Sequence, residues 1–412
     1  MSKAVVQKFG GSSLASPELR EIAASRVLEA RAAGTPPVVV CSALGRAPDP
    51  YATDTLLGML GPVLHGPNRD LMLACGELIA CSVFAELLTS LGAPAQAMTG
   101  AQAGIVTDNA HGDAKILSVD PGNLVAAIQQ GIIPVVAGFQ GMTQAGAIST
   151  LGRGGSDLTA IAIGEALDAE SVEIYTDVSG VMTADPKRIA GAHTIDRVHY
   201  SEMVELAGNG AKVMHAKAAE LARQTSTPYA VKGLRSNVGT TIDDSDDADA
   251  ERPVTGLTVL RDITFFRIIQ GEAGAERADL DLKIFQRMAE NDISIDMINV
   301  NNAGVFFVCD SDNVEAAKRE LADLNVAVRV RAHCAKISVV GAGMRGTPGV
   351  MYRVVRAITE AGVEIIHSTD SNITISMLVP EEGATRAEQS IHDFFKLGRN
   401  VVERALGEST HA

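Results

Sequence analysis

Cysteine is scarce in this chain of 412 residues. Its five thiols, Cys41, Cys75, Cys81, Cys309 and Cys334, are scattered and show no paired-ligand spacing. They read as buried thiols in a reducing compartment. Runs of positive charge are missing as well. Lys and Arg number 35 against 50 Asp and Glu, a formal net charge of −15, so nucleic acid and anionic membranes are poor partners. No uninterrupted apolar stretch approaches membrane-spanning length, and the chain opens into Ala4-Val5-Val6 without a signal-peptide pattern. A cytoplasmic location is the expectation. What is present is ordinary for a globular protein, 46% hydrophobic and 21% charged, and the length suits two or three domains.

The clearest boundary is Asp243-Asp244-Ser245-Asp246-Asp247-Ala248-Asp249-Ala250-Glu251. Six carboxylates in nine residues repel one another and predict a solvated linker over 243–254. Before it, over 1–242, apolar runs alternate with helical patterns. Val5–Phe9, Pro37–Cys41, Ile132–Ala137, Ser171–Tyr175 and Pro228–Val231 read as buried strands, and Leu19–Arg31 as a helix. That alternation predicts an α/β fold, a mostly parallel sheet covered on both faces. After the linker the chain repeats itself. Phe285–Ile298 aligns with Val355–Ser368 at an offset of 70 residues, each a helix, a turn and a strand, and Val305–Val308 matches Ile375–Leu378 at the same offset. Two copies of a βαββαβ unit fit, over 255–332 and 333–400.

Seven residues, Leu151-Gly152-Arg153-Gly154-Gly155-Ser156-Asp157, hold three glycines, a guanidinium, a hydroxyl and a carboxylate, with a helical pattern from Leu158. Such a segment suits a carboxylate ligand beside a phosphate donor. A Gly-rich turn with one solvated Arg explains it equally well. Lys8-Phe9-Gly10-Gly11-Ser12-Ser13 follows the first strand. Its amides could cradle phosphate and Lys8 could neutralise transferring charge, although Lys and Gly-Gly at strand ends are frequent in structural roles. Ser42 at a strand end, Thr53 in a loop and Glu77, read with Gly76 as opening a helix, could place a substrate ammonium and hydroxyl contacts. A turn for Ser42 and a helix N-terminal charge for Glu77 are the alternatives. Gly138-Phe139-Gln140-Gly141 is a second candidate phosphate nest or an ordinary strand-end turn, and Thr176–Lys187 a βα loop able to hold a nucleotide. Lys212 lies in a helical pattern and could reach phosphate.

Taken in chain order, KFGGSS (8–13), VVVCSALG (38–45), Gly76-Glu77, GAQAG (100–104), VVAGFQG (135–141), LGRGGSD (151–157), TDVSGVMTADP (176–186) and GAKV (210–213) resemble the aspartate kinase family of the amino-acid kinase superfamily. The resemblance covers nearly the whole chain. It implies a three-layer αβα kinase domain with a mostly parallel sheet, followed by two βαββαβ ACT-type domains. It implies transfer of the γ-phosphoryl of ATP to the β-carboxylate of L-aspartate, the first step toward lysine and diaminopimelate, threonine and methionine. Mg²⁺ would bridge phosphate oxygens without protein ligands. Lys8 and Asp157 would be catalytic. Ser42, Thr53, Glu77, Arg153, Gly154, Gly155 and Ser156 would hold the amino acid. Lys8, Phe9, Gly10, Gly11, Thr176, Asp177, Val181, Met182, Asp185, Lys187 and Lys212 would hold ATP. Lys187 stands where the family usually has Arg, keeping the charge but losing the fork.

The run Asp49-Pro50-Tyr51-Ala52-Thr53-Asp54-Thr55-Leu56-Leu57 resembles the branch inhibited by meso-diaminopimelate, with lysine the second candidate effector. Gly271-Glu272-Ala273-Gly274 lacks the Pro-Gly turn of lysine-binding relatives. Asp296, Asn299, Asn301 and Asn302 in one repeat, and Ser368, Asp370 and Asn372 in the other, would form the effector site. Paired ACT sheets would make a homodimer. The rival readings are another amino-acid kinase, acting on acetylglutamate or glutamate, and a non-catalytic ACT sensor.

Overall fold

The computed structural model describes residues 3–61, 66–211, 213–236, 238–244, 253–269, 275–324, 326–344 and 346–398. The chain forms two compact units, one from Met1–Val181 with Thr194–Asp246, the other from Met182–His193 with Asp247–Ala412.

In the first unit the order is β1 (Val5–Phe9), α1 (Pro17–Ala32), β2 (Pro37–Cys41), α2 (Thr53–Gly58), α3 (Pro67–Ser90), β3 (Ala95–Met98), β4 (Ile105–Thr107), β5 (Ile116–Val119), α4 (Gly122–Gln129), β6 (Ile133–Ala137), β7 (Gln140–Thr143) and β8 (Ile148–Thr150). It continues with α5 (Gly155–Ala166), β9 (Ser171–Thr176), β10 (Arg197–His199), α6 (Tyr200–Gly208), α7 (Ala216–Thr225), β11 (Tyr229–Gly233) and β12 (Gly239–Asp243). The main sheet runs β10-β12-β11-β9-β1-β2-β6-β3 and is parallel from β11 to β3, with β12 antiparallel to β11. Five of its strands are the apolar runs expected from the sequence. A second sheet, β5-β4-β7-β8, is built mostly of antiparallel pairs.

Side chains alternate along β1, so Phe9 joins a core with Val39, Cys41, Val135 and Ala137 under α1 and α3. Lys8 therefore faces the other way, toward α5, which packs on β1, β2 and β9. α3 is long and apolar enough to cross a membrane by composition. It is instead a core helix: Leu73, Ala74, Ala80, Cys81, Phe84, Ala85 and Leu88 recur at helical spacing and are buried.

Two local expectations change. Gly76 and Glu77 do not open a helix; they sit in the middle of α3, where Gly76 admits Ala43 Cβ and Tyr51 O to within 2.9 Å of where a Cβ would stand. Residues 210–215 are not helical. Gly210 takes a φ of +111° and His215 caps α7 by accepting from Lys217 N, so the described part of this segment is the loop between α6 and α7. Lys212 lies outside the described residues.

The second unit contains β13 (Gly256–Ile269), α8 (Ala275–Glu290), β14 (Asp296–Asn301), β15 (Gly304–Asp310), α9 (Val314–Leu321), β16 (Ala327–Val340), α10 (Val350–Glu360), β17 (His367–Asp370), β18 (Thr374–Pro380) and α11 (Glu381–Phe394). Its antiparallel sheet runs β14-β15-β13-β16-β18-β17. β15 and β18 lie 70 residues apart at both ends, as the repeat requires.

The two repeats share their long strands. Phe265–Ile269 pairs with Ala327–Arg331 in the first, and Gly256–Leu260 pairs with Lys336–Val340 in the second, with Ile263 opposite Cys334 between them. The second repeat thus takes a strand from upstream of the first, and the boundary expected at 332/333 falls inside β16. Of the expected linker, Asp243 closes β12 and Val254 is buried in the second unit's core; Ser245 to Arg252 lie outside the described residues.

Candidate active site

The C-terminal ends of β1, β2 and β9 and the N-terminus of α5 enclose a cavity of about 340 Å³ in the first unit. Such strand ends are where open α/β sheets bind ligands. Its lining includes Lys8, Gly10, Gly11, Ser42, Gly154, Asp157 and Thr176, all singled out from the sequence. Lys8 Nζ stands 2.6 Å from Asp157 Oδ1, both side chains 12% exposed. α5 begins at Gly155, three residues before the expected start, which places Asp157 in its first turn facing the lysine. The cavity wall therefore carries an ion pair beside a helix N-terminus, an arrangement suited to anions.

The loop after β1 is drawn tightly against the loop after β2. Gly45 N donates to Gly11 O at 3.0 Å, and a Cβ on Gly11 would stand 2.5 Å from Ala43 O. No larger residue fits at 11 without moving backbone.

Other expected residues lie apart from the cavity lining. Phe9 is fully buried and stacks on Tyr175 at 4.9 Å. Thr53 opens α2, Arg153 is exposed, and Gly155 and Ser156 are buried in the first turn of α5. Glu77 sits behind the wall, 2% exposed, with Oε1 accepting from Ala43 N at 3.1 Å. Desolvation pushes its carboxyl up to about 8, against the pull of two backbone amides. Asp177 pairs with Arg46 at 3.5 Å, and Val181 is buried, donating its N–H to Thr240 Oγ1 at 2.8 Å. Met182, Asp185 and Lys187 belong to the second unit. The second candidate nest at 138–141 is the tight turn from β6 into β7, where Phe139 has a φ of +69° and donates its N–H to Thr159 Oγ1.

Several residues at the site were not singled out from the sequence. Arg46, Tyr175 and His215 line the cavity. Burial lowers the His215 pKa, which keeps the ring neutral near neutral pH. Asp70, fully buried in α3, accepts from Thr150 N (2.9 Å), Thr150 Oγ1 (2.8 Å) and Gly112 N (3.1 Å) and pairs with His111 Nδ1 at 2.8 Å. It fixes the residue from which the 151–157 segment departs. Only its position in the first turn of a helix, Pro67-Asn68-Arg69-Asp70, marks it in the sequence.

In the second unit the sheet curls until its edge strands β14 and β17 approach each other. His367 stacks there on Phe265 (5.5 Å) and Phe306 (6.1 Å), and the buried Lys336 pairs with Asp296. Asn301 Nδ2 donates to Asn299 Oδ1 at 2.8 Å, Asn302 O accepts from Arg277, and Ser368 and Asp370 lie on β17 with Asn372 in the turn that follows. Five of the seven residues expected to bind an effector thus lie on two strands that meet, with Asn302 and Asn372 in the turns beside them.

The amino acid kinase family model matches residues 3–233, and an ACT domain model matches 337–395. Aspartokinase 1 of Bacillus subtilis is 39% identical over 96% of this chain and 100% of its own length. E. coli aspartokinase III shares the fold in two structures, each covering 95% of this chain and 99% of that one. The complex with aspartate and ADP (R-state) has a TM-score of 0.79 at 23% identity; the complex with lysine and aspartate (T-state) has 0.77 at 24%. With its amino acid kinase domain and ACT domain, this chain belongs to the aspartokinase family and is an ATP-dependent kinase.

Proposed function

We propose that the protein transfers the γ-phosphoryl group of ATP to the β-carboxylate of L-aspartate, and that an amino acid bound between β14 and β17 regulates the reaction. The observation that carries the first part is the Lys8–Asp157 pair, set among the amides of two glycine loops at the sheet's C-terminal edge. A substrate carboxylate is already ionised near neutral pH, so the step needs no general base. One carboxylate oxygen bonds to the γ-phosphorus as the bond to the β–γ bridging oxygen breaks, and that electron pair leaves on ADP. The requirement is charge neutralisation and alignment of two anions. Lys8 would stabilise the equatorial oxygens and Asp157 would hold its ammonium in place. Arg153 and Glu77 would pair with the amino acid's carboxylate and ammonium, while Thr176 and Asp177 would contact the nucleotide.

Asp157, the one carboxylate lining the cavity among the described residues, is already held by Lys8. Mg²⁺ would enter as part of the nucleotide and would neutralise phosphate charge there. The proposed setting is cytoplasmic, and the proposed assembly a homodimer paired through the second unit.

ADP release measured with aspartate, glutamate, acetylglutamate and no acceptor tests the reading. Turnover is expected with aspartate alone, and Lys8→Ala should lower it by at least about 100-fold in a chain of unchanged circular dichroism. Equal turnover with another acceptor, or a fully active Lys8→Ala, contradicts it.

A further inference from the structure

Asp49-Pro50-Tyr51 has no part in the phosphoryl-transfer site described so far. In the structure it builds a turn that presents Arg46. Asp49 Oδ2 accepts from Arg46 N at 3.0 Å, Asp49 N donates to Arg46 O at 2.8 Å, and the preceding residue, Gly45, is tied to Gly11 O. The Arg46 backbone is thereby fixed to the glycine loop beside Lys8, while its guanidinium remains 74% exposed at the cavity mouth. Its one ion-pair partner among the described residues is Asp177, 56% exposed and 3.5 Å away on the loop after β9. An exposed pair at that distance is weak and easily exchanged for a stronger anion.

The charge balance of the cavity gives this arrangement its meaning. Among the described residues of the wall, Lys8 is matched by Asp157 and burial lowers the His215 pKa, so these groups supply little net positive charge against a nucleotide triphosphate and a carboxylate. Arg46 is the other cation lining it among the described residues. We infer that Arg46 is a second catalytic cation: when the nucleotide arrives, its guanidinium leaves Asp177 and pairs with the oxygens of the transferring phosphoryl group, with Asp49 as its positioning residue. The inference rests on the phosphoryl-transfer reading of the same cavity. In that step the new oxygen–phosphorus bond forms as the β–γ bridge breaks; the guanidinium donates hydrogen bonds and no proton is transferred. A planar fork suits two phosphoryl oxygens better than a point charge does.

Steady-state kinetics of the full chain with MgATP and aspartate test it. Arg46→Ala should lower kcat by about 10- to 100-fold with the KM for aspartate changed less than about twofold, and Arg46→Lys should restore part of the loss. Added guanidinium at millimolar concentration should raise the turnover of Arg46→Ala and leave that of the original chain unaffected. Asp49→Asn should lower kcat by itself but add nothing in the Arg46→Ala background. Unchanged kcat in a folded Arg46→Ala overturns the inference, as does a rise in the KM for ATP alone; additive losses from Asp49→Asn overturn its positioning role. Lys8→Ala serves as the reference. If it is inactive while Arg46→Ala is normal, the inference fails and the reading of the site stands; if it is active, both fail.

Discussion

Glu77 is a carboxyl sealed inside α3. Among the described residues it has no Lys or Arg partner, and burial raises its pKa to about 8. At pH 7 the protein therefore holds Glu77 mostly neutral. If a substrate ammonium comes into contact with it, the charged form is favoured and a proton is released on binding. Calorimetry of aspartate binding at pH 7, in two buffers of different ionisation enthalpy, should show release approaching one proton, and Glu77→Gln should show none. A Glu77 that stays sealed behind Ala43 releases nothing, and its role as ammonium partner then falls. The same shift has a sign for stability. The folded pKa lies above the unfolded value of about 4.5, so the stabilising contribution is fully present below that value and is lost as pH rises through about 8. Over that window it should decline by up to about 1.4 kcal/mol per pH unit, and Glu77→Gln should flatten the decline.

β13 and β16 show how an element can be bent without a glycine. Asp262 and His333, one on each strand, adopt φ values of +55° and +54° at the points where each strand passes from one repeat to the other. L-residues pay about 1–2 kcal/mol for that conformation, less for Asp, whose short polar side chain tolerates it. His333 is exposed, so its side chain contributes little packing in return. His333→Gly should therefore raise stability by up to about 1 kcal/mol, the relieved strain exceeding glycine's entropy cost, while His333→Val should lower it by more than about 1 kcal/mol. Urea midpoints of the three chains measure this, and a destabilised glycine variant would mean that the bend is not strained. This element also shows where sequence reading stops. Buried strands announce themselves as apolar runs such as Val38-Val39-Val40, and the repeat announces itself through its offset. That Gly256–Leu260 pairs with Lys336–Val340 rests on partners some 80 residues apart, and no local pattern encodes it. The cavity divides in the same way. Lys8, Gly11 and Asp157 stand in compact motifs, whereas Arg46 gains its meaning from a turn tied to a loop on another strand, and Asp70 from a hydrogen bond to Thr150 across 80 residues.

At the scale of the molecule, the division into units does not follow the order of the chain. Met182–His193 departs after the β9 loop and folds into the second unit, where Ala184 and Ile189 are buried with Leu257, Ile337 and Ile391. Thr183 O accepts from Leu257 N at 2.8 Å, and Thr183 Oγ1 lies 3.1 Å from His392 Nε2 of α11. Met182, Asp185 and Lys187, which the family resemblance assigns to the nucleotide, are carried on this segment, and its packing partners lie within the second unit. Removing that region, by ending the chain after Asp244, would strip the packing from Ala184 and Ile189; exposing a buried isoleucine costs about 1.5–3 kcal/mol. The truncated protein should therefore lose both stability and ATP affinity, and should not become an unregulated kinase. An effector inhibits only if it binds a low-activity state better, each tenfold preference corresponding to about 1.4 kcal/mol. In the full chain, meso-diaminopimelate, or lysine if the branch resemblance misleads, should lower turnover. Kinetics and thermal unfolding of both chains, with each amino acid titrated in, distinguish the cases. A truncated chain with full turnover and an unchanged KM for ATP would show that the 182–193 segment needs nothing from the second unit, and regulation would have to reach the kinase by another path.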